Sequence, residues 1–273
     1  MMKAPSLKAG ILTIGNEVLD GLILDTNANW IEQQLVKLGV EMRCVVSVRD
    51  EVEEIGQGLA FLMERCDFVI TSGGLGPTHD DMTLLSIAKS LERELVLNPK
   101  GLEIVSRQYE MLYEKGMVQS PNLTESRRKM AILPEGAIAL DNTVGGAPGV
   151  MLNQKDRTIF CLPGVPAELK DIWESGVKPW VLANTIGAYY QEIVDFEVVD
   201  ESILAPHIKE AMKENPDVWI KSMPKRYGTT RIMRVWISSR GEEMTLAQQR
   251  VKIAIHALER ISGLHLYLPE TKD

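Results

Sequence analysis

Apolar residues in the first ninety positions alternate between short continuous runs and helical spacings. Residues 9–15 read AGILTIG, an apolar run closed by glycine, and residues 26–38 then place Ala28, Ile31 and Leu35 on one helical side. The first pattern predicts a buried strand and the second predicts an amphipathic helix. The same pair occurs twice more along the chain, at residues 42–48 with 52–64 and at 68–71 with 83–91.

Three strand–helix pairs in succession predict parallel strands joined by right-handed crossovers, with helices on both faces of the sheet. A further helix is expected from Pro99 to Gly116, because Asn98-Pro99 supplies a cap and a first helical position. Short strands and glycine turns follow from Ile132. The predicted fold is therefore α/β, with three α/β/α layers around a mostly parallel sheet.

The pattern changes near residue 176, where Gly176 and Pro179 interrupt it. Beyond it, strands are predicted at 192–199, 232–238 and 264–268 and helices at 203–212 and 245–261. They predict a second, smaller α+β domain. We therefore expect a domain of residues 1–176 and another of residues 177–273.

Composition excludes several classes of function. The chain has 273 residues, a formal net charge of −8 and a pI near 5.2. Since nucleic-acid affinity depends on Lys and Arg neutralising phosphates, this charge argues against general nucleic-acid binding and against an anionic membrane surface. No run approaches the ~20 apolar residues of a membrane span, and the N-terminus lacks a signal-peptide core, so a cytoplasmic protein is expected. The cysteines are expected to be buried free thiols: Cys44, Cys66 and Cys161.

Glycines and acids follow the third predicted strand. The segment TSGGLGPTHDDMT holds three glycines, Gly73, Gly74 and Gly76. These glycines permit positive φ and the close approach of a phosphate to backbone N–H groups. Asp80 and Asp81 would repel that phosphate unless a divalent cation lay between them, since carboxylates suit Mg²⁺-like ions. The turn is therefore predicted to hold a diphosphate and its metal, with Asp81 as a plain helix cap as the alternative.

Two other strand ends carry similar residues. The loop after the first strand holds Gly15, Glu17, Asp25 and Asn27. There Asp25 could simply cap the following helix, and Asn27 could bond a ligand hydroxyl. The segments NTVGGAPGV and LPGVP hold Asn142, Gly145, Gly146, Pro148, Gly149, Pro163 and Gly164.

Three glycine-rich turns in one half of the chain predict a shared binding cleft at the carboxyl ends of the strands, although structural turns are the alternative. Lys129, just ahead of the third turn, is a candidate for the positive charge of that cleft. The nucleotide-binding P-loop, the G-x-G-x-x-G fingerprint after the first strand and the G-x-S-x-G nucleophile elbow do not occur in the sequence.

These segments resemble the CinA family, whose amino-terminal domain is similar to the molybdopterin-binding fold of the MoaB, Mog and MoeA proteins. The resemblance rests on ILTIGNEVLDGLILDTNANWI, VITSGGLGPTHDDMT, AILPEGAIALDNTVGGAPGV and FCLPGVPAEL, in order over about residues 8–176. The segment DFEVVDESILAPHIKEAM resembles the KH-like domain that follows in CinA proteins. The carboxy-terminal deamidase domain of the longer members is not expected here.

The resemblance implies roles for individual residues. It places the family aspartate at Asp81, the threonine at Thr83, and an additional acid typical of CinA proteins at Asp80. The acid of the first loop falls on Asp25 and the glutamate on Glu17. Two positions depart from the family pattern: Met130 stands where glutamine is usual, and Gly146 stands where threonine is usual.

The activity that the resemblance implies is a metal-dependent pyrophosphatase that cleaves ADP-ribose to AMP and ribose 5-phosphate. Asp81, with Asp80 or Asp25, would hold Mg²⁺, Mn²⁺, Co²⁺ or Ni²⁺, with K⁺ as a further candidate ion. A homodimer is also expected. The alternatives are a molybdopterin- or nucleotide-binding protein without hydrolysis, and a hydrolase of FAD or another dinucleotide. RNA binding through a KH-like domain is disfavoured, because residues 177–262 contain no G-x-x-G loop.

Overall fold

The computed structural model describes residues 6–198, 200–224 and 232–267. Contacts divide the chain into a larger unit, which holds Leu7–Val36 and Val40–Thr185, and a smaller unit built on the residues from Ile186 onward. Along its described length, the chain forms no helix long and apolar enough to cross a membrane.

A six-stranded sheet forms the centre of the larger unit, in the order β2-β1-β3-β8-β7-β6. Its strands are β1 (Lys8–Ile14), β2 (Glu41–Val48), β3 (Phe68–Ser72), β6 (Ile138–Leu140), β7 (Gly149–Gln154) and β8 (Arg157–Leu162). The pairs β1–β2, β1–β3 and β3–β8 are parallel, while β7 runs antiparallel to β6 and to β8. A separate antiparallel pair joins β4 (Leu95–Leu97) to β5 (Ile132–Pro134).

Helices cover both faces of this sheet, as the continuous apolar strands require. They are α1 (Asn16–Leu19), α2 (Thr26–Lys37), α3 (Val52–Met63), α4 (Thr83–Ser90), α5 (Pro99–Glu114), α6 (Glu125–Lys129), α7 (Pro166–Ile172) and α8 (Lys178–Asn184). All five residues of β3 are buried. The mostly parallel α/β/α fold predicted from the sequence is therefore confirmed.

An aromatic cluster fastens the end of the larger unit to its sheet. The π-helical turn Trp173–Val177 leads directly into α8. There the Trp180 ring packs edge-on against Phe68 and Phe160, with centroids 5.2 and 5.3 Å away. The larger unit consequently extends to Thr185, beyond the division at residue 176 that the local glycine and proline suggested.

The smaller unit has the chain order strand–helix–strand–strand–helix–strand. Its elements are β9 (Ala188–Glu197), α9 (Glu201–Glu214), β10 (Val218–Met223), β11 (Ile232–Gly241), α10 (Met244–Ser262) and β12 (Leu266–Tyr267). All strand pairs are antiparallel, in the order β10-β11-β9-β12. This is the ferredoxin-like, split βαβ arrangement, so the α+β class is confirmed and the KH-like fold implied by the resemblance is not.

The cysteines occupy the interior of the larger unit, as expected. Cys66 and Cys161 are buried and Cys44 is half-buried, and all three are free thiols. Burial raises the pKa of the Cys66 thiol to about 11 and that of Cys161 to about 12. Both thiols are therefore protonated at neutral pH and serve as apolar packing groups.

Replacing Trp180 with alanine tests the aromatic cluster. Because Trp180 is half-buried between two phenylalanine rings, we expect Trp180→Ala to lower the free energy of unfolding by about 2–3 kcal/mol. Chemical denaturation followed by circular dichroism measures this change. Leu182→Ala on the same helix is the control, because Leu182 is 55% exposed and should change stability by less than about 0.5 kcal/mol. Equal losses in the two variants would contradict the anchoring role of Trp180.

Candidate functional site

The candidate site lies where the strand order of the larger sheet reverses direction. From β1 the chain first adds β2 on one side and then β3 on the other. Ligands of open α/β sheets bind outside the carboxyl ends of the strands at such a switch point. The backbone N–H of Gly15 donates to Val48 O at 3.3 Å, and that of Gly73 donates to Leu162 O at 3.0 Å. These bonds draw the turns after β1, β2, β3 and β8 to one edge.

The turn after β3 depends on two glycines. Gly73 and Gly74 have φ of 107° and 69°. A Cβ on Gly73 would lie 2.2 Å from Ile14 O, and a Cβ on Gly74 would lie 2.2 Å from Thr83 Oγ1. The Thr83 hydroxyl is buried and donates to Gly73 O at 2.8 Å. Thr83 therefore holds the turn from below rather than reaching outward to a ligand.

This turn presents backbone donors. In the part of the chain that the structure describes, the backbone N–H groups of Gly74, Leu75 and Gly76 have no hydrogen-bond acceptor. They lie ahead of the N-terminus of α4, whose partial positive charge also favours an anion. The N–H groups of Gly74 and Gly76 are therefore available to donate to a phosphate, which is the role predicted for them. The N–H of Gly73 is already bonded inside the protein.

The two adjacent aspartates turn back on their own loop. Asp81 Oδ2 accepts from the Thr78 backbone N–H at 2.8 Å and lies 2.5 Å from Thr78 Oγ1. Asp80 Oδ1 lies 2.5 Å from the same hydroxyl, which has one proton to share between them. Asp81 is not a helix cap, because Met82 occupies the cap position of α4 and makes no side-chain bond. The Thr78 hydroxyl bond lowers the pKa of Asp80 below its usual value.

Lys129 braces this loop from α6. Its Nζ donates to the backbone carbonyl of Asp81 at 3.0 Å and also to that of Thr78. The predicted positive charge is therefore present at the site. It is bonded to the backbone of the acidic loop, so it offsets the charge of Asp80 and Asp81.

The turn after β1 contributes mainly structure. Asp25 Oδ1 accepts from the Ala28 N–H at 2.9 Å and Asp25 Oδ2 accepts from the Thr13 hydroxyl at 2.6 Å. Asp25 is thus the helix cap that the sequence allowed as an alternative, and its carboxylate is not a free ligand. Asn27 Nδ2 donates to Gly164 O at 2.7 Å and to Ser72 Oγ at 3.1 Å, which ties this turn to the other two.

Asp50 joins the site although the sequence did not single it out. It follows β2, accepts from the Asn16 N–H at 2.8 Å, and is half-buried. Burial raises the pKa of Asp50, and the nearby charges of Glu17, Asp80 and Asp81 raise it further. The exposed carboxylate of Glu17 therefore belongs with Asp50 to one acidic group at this edge. Its position just beyond a predicted strand is the feature of the sequence that could have identified Asp50 as a site residue.

The turn between β6 and β7 is organised by Asn142, which is fully buried. Its Oδ1 accepts from the N–H groups of Val144 and Gly145, and its Nδ2 donates to Ala147 O and to Glu168 Oε2, each at 2.7 Å. Asn142 therefore shapes the turn from inside and does not face a ligand.

Glu168 was also missed by the sequence reasoning. It lies in the first turn of α7, and a Cβ on Gly145 would lie 2.0 Å from its carboxyl carbon. Gly145 is thus required by the close approach of this carboxylate. Burial raises the pKa of Glu168, partly opposed by the Asn142 bond. Its position in the first helical turn after the LPGVP loop is the feature of the sequence that could have identified Glu168 as a site residue.

The remaining residues that were predicted to contact a ligand differ in their burial. Pro148, Gly149 and Pro163 are buried, and a Cβ on Gly149 would lie 2.5 Å from Ile172 Cγ2. These three residues serve packing. Gly164 is exposed and Gly146 half-buried at the edge of the site.

The two departures from the family pattern are neighbours. A Cβ on Gly146 would lie 3.5 Å from Met130 Cε and 3.3 Å from the Tyr109 ring. Met130 is buried, so its methyl packs against the space that a larger residue at position 146 would need. Met130 and Gly146 therefore lie together at one corner of the site.

The carboxylates do not form a ready metal site. Across residues 6–198, 200–224 and 232–267, no three His, Cys, Asp or Glu side chains gather closely enough to hold a metal ion. Asp25 is a cap, and Asp80 and Asp81 share the Thr78 hydroxyl. The donor set expected for a divalent ion at Asp25, Asp80 and Asp81 therefore does not fit in this arrangement.

Comparisons with known proteins show what the chain is similar to. Residues 10–183 match the family model described as "Probable molybdopterin binding domain". A protein of Thermococcus kodakarensis is 41% identical over 86% of this chain and 92% of its own length. One of Metallosphaera sedula is 40% identical over 97% of both chains. The solved structure of the protein CinA from Thermoplasma acidophilum is 34% identical, with a TM-score of 0.57 over 63% of this chain and 98% of that one.

Replacing Glu168 with an uncharged side chain tests whether burial raises its pKa. Because the folded protein binds the Glu168 proton more tightly than the unfolded chain does, the stability that this group contributes is present below its unfolded pKa. It is lost as the pH rises through the higher folded pKa. We expect Glu168→Gln, which keeps the acceptor for Asn142, to be more stable than wild type at pH 7 and equal to it near pH 4. Thermal unfolding at both pH values measures this difference in stability. Glu174→Gln is the control, because the Glu174 side chain is 55% exposed. A Glu168→Gln protein less stable at pH 7 would contradict it.

Proposed function

The chain belongs to the molybdopterin-binding domain family, and from that premise we propose that its glycine turn binds the phosphate group of a phosphorylated pterin or nucleotide. The molybdopterin type of ligand is supported by the family match across residues 10–183. The protein is thus proposed to bind this ligand, and the binding does not require that the ligand is also transformed.

The observation that carries this proposal is the set of free donors at the switch point. The N–H groups of Gly74, Leu75 and Gly76 have no acceptor among the described residues. Because an unpaired backbone donor at a protected position costs free energy, a ligand oxygen that accepts from it gains that energy back. A phosphate supplies three such oxygens at one place and is favoured by the N-terminus of α4.

The acids at the same edge restrict which ligands suit the site. Glu17, Asp50, Asp80 and Asp81 repel an anion placed against them. The phosphate is therefore expected at the Gly74 end of the turn, because Asp81 lies beside Gly76. The carboxylates then face the uncharged, hydrogen-bonding part of the ligand, and the amide N–H groups of a pterin or the hydroxyls of a ribose are suitable partners for them.

Two glycine substitutions test the phosphate position. Gly74 and Gly116 both have φ of 69°, so alanine at either position costs about 1–2 kcal/mol of backbone strain. Only at Gly74 does the new Cβ meet Thr83, while nothing lies within 4 Å at Gly116. We expect Gly74→Ala to weaken binding of AMP, ADP-ribose or molybdopterin by more than about tenfold, and Gly116→Ala to leave it unchanged.

Isothermal titration calorimetry with each of the three probes measures the effect, and circular dichroism confirms that both variants are folded. Should wild type bind none of the three, or should folded Gly74→Ala bind as wild type does, the proposed phosphate position is wrong. Gly76→Ala provides a second test that is free of backbone strain, because Gly76 does not have positive φ. Its Cβ would lie 2.6 Å from Asp81 Oδ2.

A second candidate function is hydrolysis of ADP-ribose to AMP and ribose 5-phosphate. The specific observation in its favour is the acidic group beside the phosphate donors, in which Asp50 has a raised pKa. In this reaction a water oxygen attacks one phosphorus of the diphosphate and the P–O bond to the bridging oxygen breaks. A carboxylate accepts the water proton, and a raised pKa makes Asp50 the better proton acceptor. The backbone donors of the turn would stabilise the phosphate oxygens.

Release of AMP decides between binding alone and hydrolysis. If the second candidate holds, wild type releases AMP from ADP-ribose, tested in reactions with and without Mg²⁺, Mn²⁺, Co²⁺ or Ni²⁺ and K⁺, with FAD in parallel. Asp81→Asn and Asp50→Asn are expected to lower the rate by about a hundredfold or more. Asp156→Asn is the control, because Asp156 is exposed in the β7–β8 turn at the other edge of the sheet. If wild type binds a probe but releases no AMP, the chain is a carrier and the hydrolase candidate fails.

A further inference from the structure

The glycine turn has different neighbours on its two sides. In the sheet order β2-β1-β3-β8-β7, the turn follows β3 and lies in the middle. The acids Glu17 and Asp50 follow β1 and β2, on one side of it. The other side holds the residues after β8 and those before β7, because β7 runs antiparallel to β8. Two exposed side chains of that other side, Val144 and Val165, form what we call the valine pair.

Val165 lies close to the phosphate donors. The segment before it packs against the glycine turn, since a Cβ on Gly164 would lie 3.6 Å from Gly73 Cα. Val165 is the next residue along the chain and is 53% exposed. Because consecutive Cα atoms are about 3.8 Å apart, the Cα of Val165 lies within about 9 Å of that of Gly73. A ligand whose phosphate is held by the turn therefore has Val165 within reach of its remaining part.

Val144 lies beside the same helix terminus as Val165. The backbone of Gly145 approaches Glu168 in the first turn of α7 so closely that a Cβ on Gly145 would lie 2.0 Å from the carboxyl carbon. Val144 directly precedes Gly145 and is 45% exposed. Val165 is the cap residue of that helix. The two valines therefore stand at the start of α7, on the side of the glycine turn opposite to the acids.

The backbone that carries the valine pair is fixed by hydrogen bonds. The N–H of Val144 donates to the buried Asn142 Oδ1 at 3.0 Å. The preceding Thr143 donates its N–H and its hydroxyl to Asp171 on α7, at 2.7 and 2.9 Å. The segment of Val165 is held by the bond that the Gly164 carbonyl accepts at 2.7 Å. A surface that is already ordered loses little entropy when a ligand binds, which favours binding.

An apolar pair beside phosphate donors suits one part of a small ligand. Ligand sites generally combine an apolar lining with a few convergent polar groups. Valine side chains offer neither donors nor acceptors, so a sugar or a second phosphate finds no hydrogen-bonding partner in them. A flat heteroaromatic ring, in contrast, gains free energy when its face leaves water against them.

Resting on the function proposed above, we propose that the valine pair binds the heteroaromatic ring of the phosphorylated ligand. The pair thereby makes the site selective for phosphates that carry a purine or pterin ring. In this arrangement the phosphate accepts from the Gly74 end of the turn and the ring lies against Val144 and Val165. The hydroxyls between phosphate and ring then face the carboxylates on the opposite side.

Calorimetric titration with AMP, ribose 5-phosphate and adenosine separates the ring from the phosphate. We expect wild type to bind AMP about tenfold or more tightly than ribose 5-phosphate, which lacks the ring. Val144→Ser and Val165→Ser should each weaken AMP binding about threefold or more and leave ribose 5-phosphate unchanged. Neopterin phosphate in parallel exchanges the purine for a pterin, so the tighter of the two probes identifies the ring.

Val45→Ser is the matched control. Val45 is 43% exposed on β2, five residues before Asp50, and its loss should leave the affinity for every probe unchanged. Circular dichroism checks that all three variants are folded.

The outcomes distinguish this inference from the phosphate position. Wild type that binds ribose 5-phosphate as tightly as AMP and neopterin phosphate, or folded valine variants that lose both AMP and ribose 5-phosphate equally, overturns the role of the valine pair alone. Adenosine bound as tightly as AMP, and weakened by Val165→Ser, rejects the phosphate position and keeps the valine pair. A wild type that binds none of the probes rejects both.

Discussion

The parallel pairing of β1 with both β2 and β3 is the constraint on which the rest of the larger unit depends. It places Leu12 beside Val46 on one side and beside Thr71 on the other. Because the three strands run the same way, their carboxyl ends share one edge, and the strand order reverses there. Each helix that follows a strand must start from that edge. The turns with unusual residues thus come together although they are far apart in the chain.

At that edge the structure separates donors from acceptors within a single loop. The first half of the loop after β3 shows bare backbone N–H groups, since the positive φ of Gly73 and Gly74 turns them away from the sheet. The second half carries Asp80 and Asp81, which bond to Thr78, and Asp81 lies beside Gly76, the last of the donors. Lys129 bonds to the backbone of that second half. An anionic group and a hydrogen-bonding group of one ligand are therefore favoured at adjacent places.

The two units present different kinds of surface. The larger unit offers a polar edge with buried support, in which Asn142 and Glu168 stabilise a turn from inside. On the helix-free side of the sheet in the smaller unit, Trp236 donates to Gln191 and Arg234 bonds to Asp195. The first is suited to the small charged ligand proposed above. Their separation on two compact units means that a substitution on one is expected to leave the other intact.

Periodicity and glycine position are local properties, so the sequence by itself determined the α/β class, the three strand–helix pairs that begin with β1, β2 and β3, and the turns that form the site. What depended on distant contacts was decided only by the tertiary structure. Thr13, twelve residues from Asp25, bonds to the second carboxylate oxygen of that cap, and Glu168 reaches Asn142 across twenty-six residues. Trp180 extends the larger unit because its ring meets Phe68 and Phe160, and strand pairing alone gives the smaller unit its ferredoxin-like order. Hydrogen-bond partners and burial are set by neighbours in space, and a residue's neighbours in sequence do not reveal them.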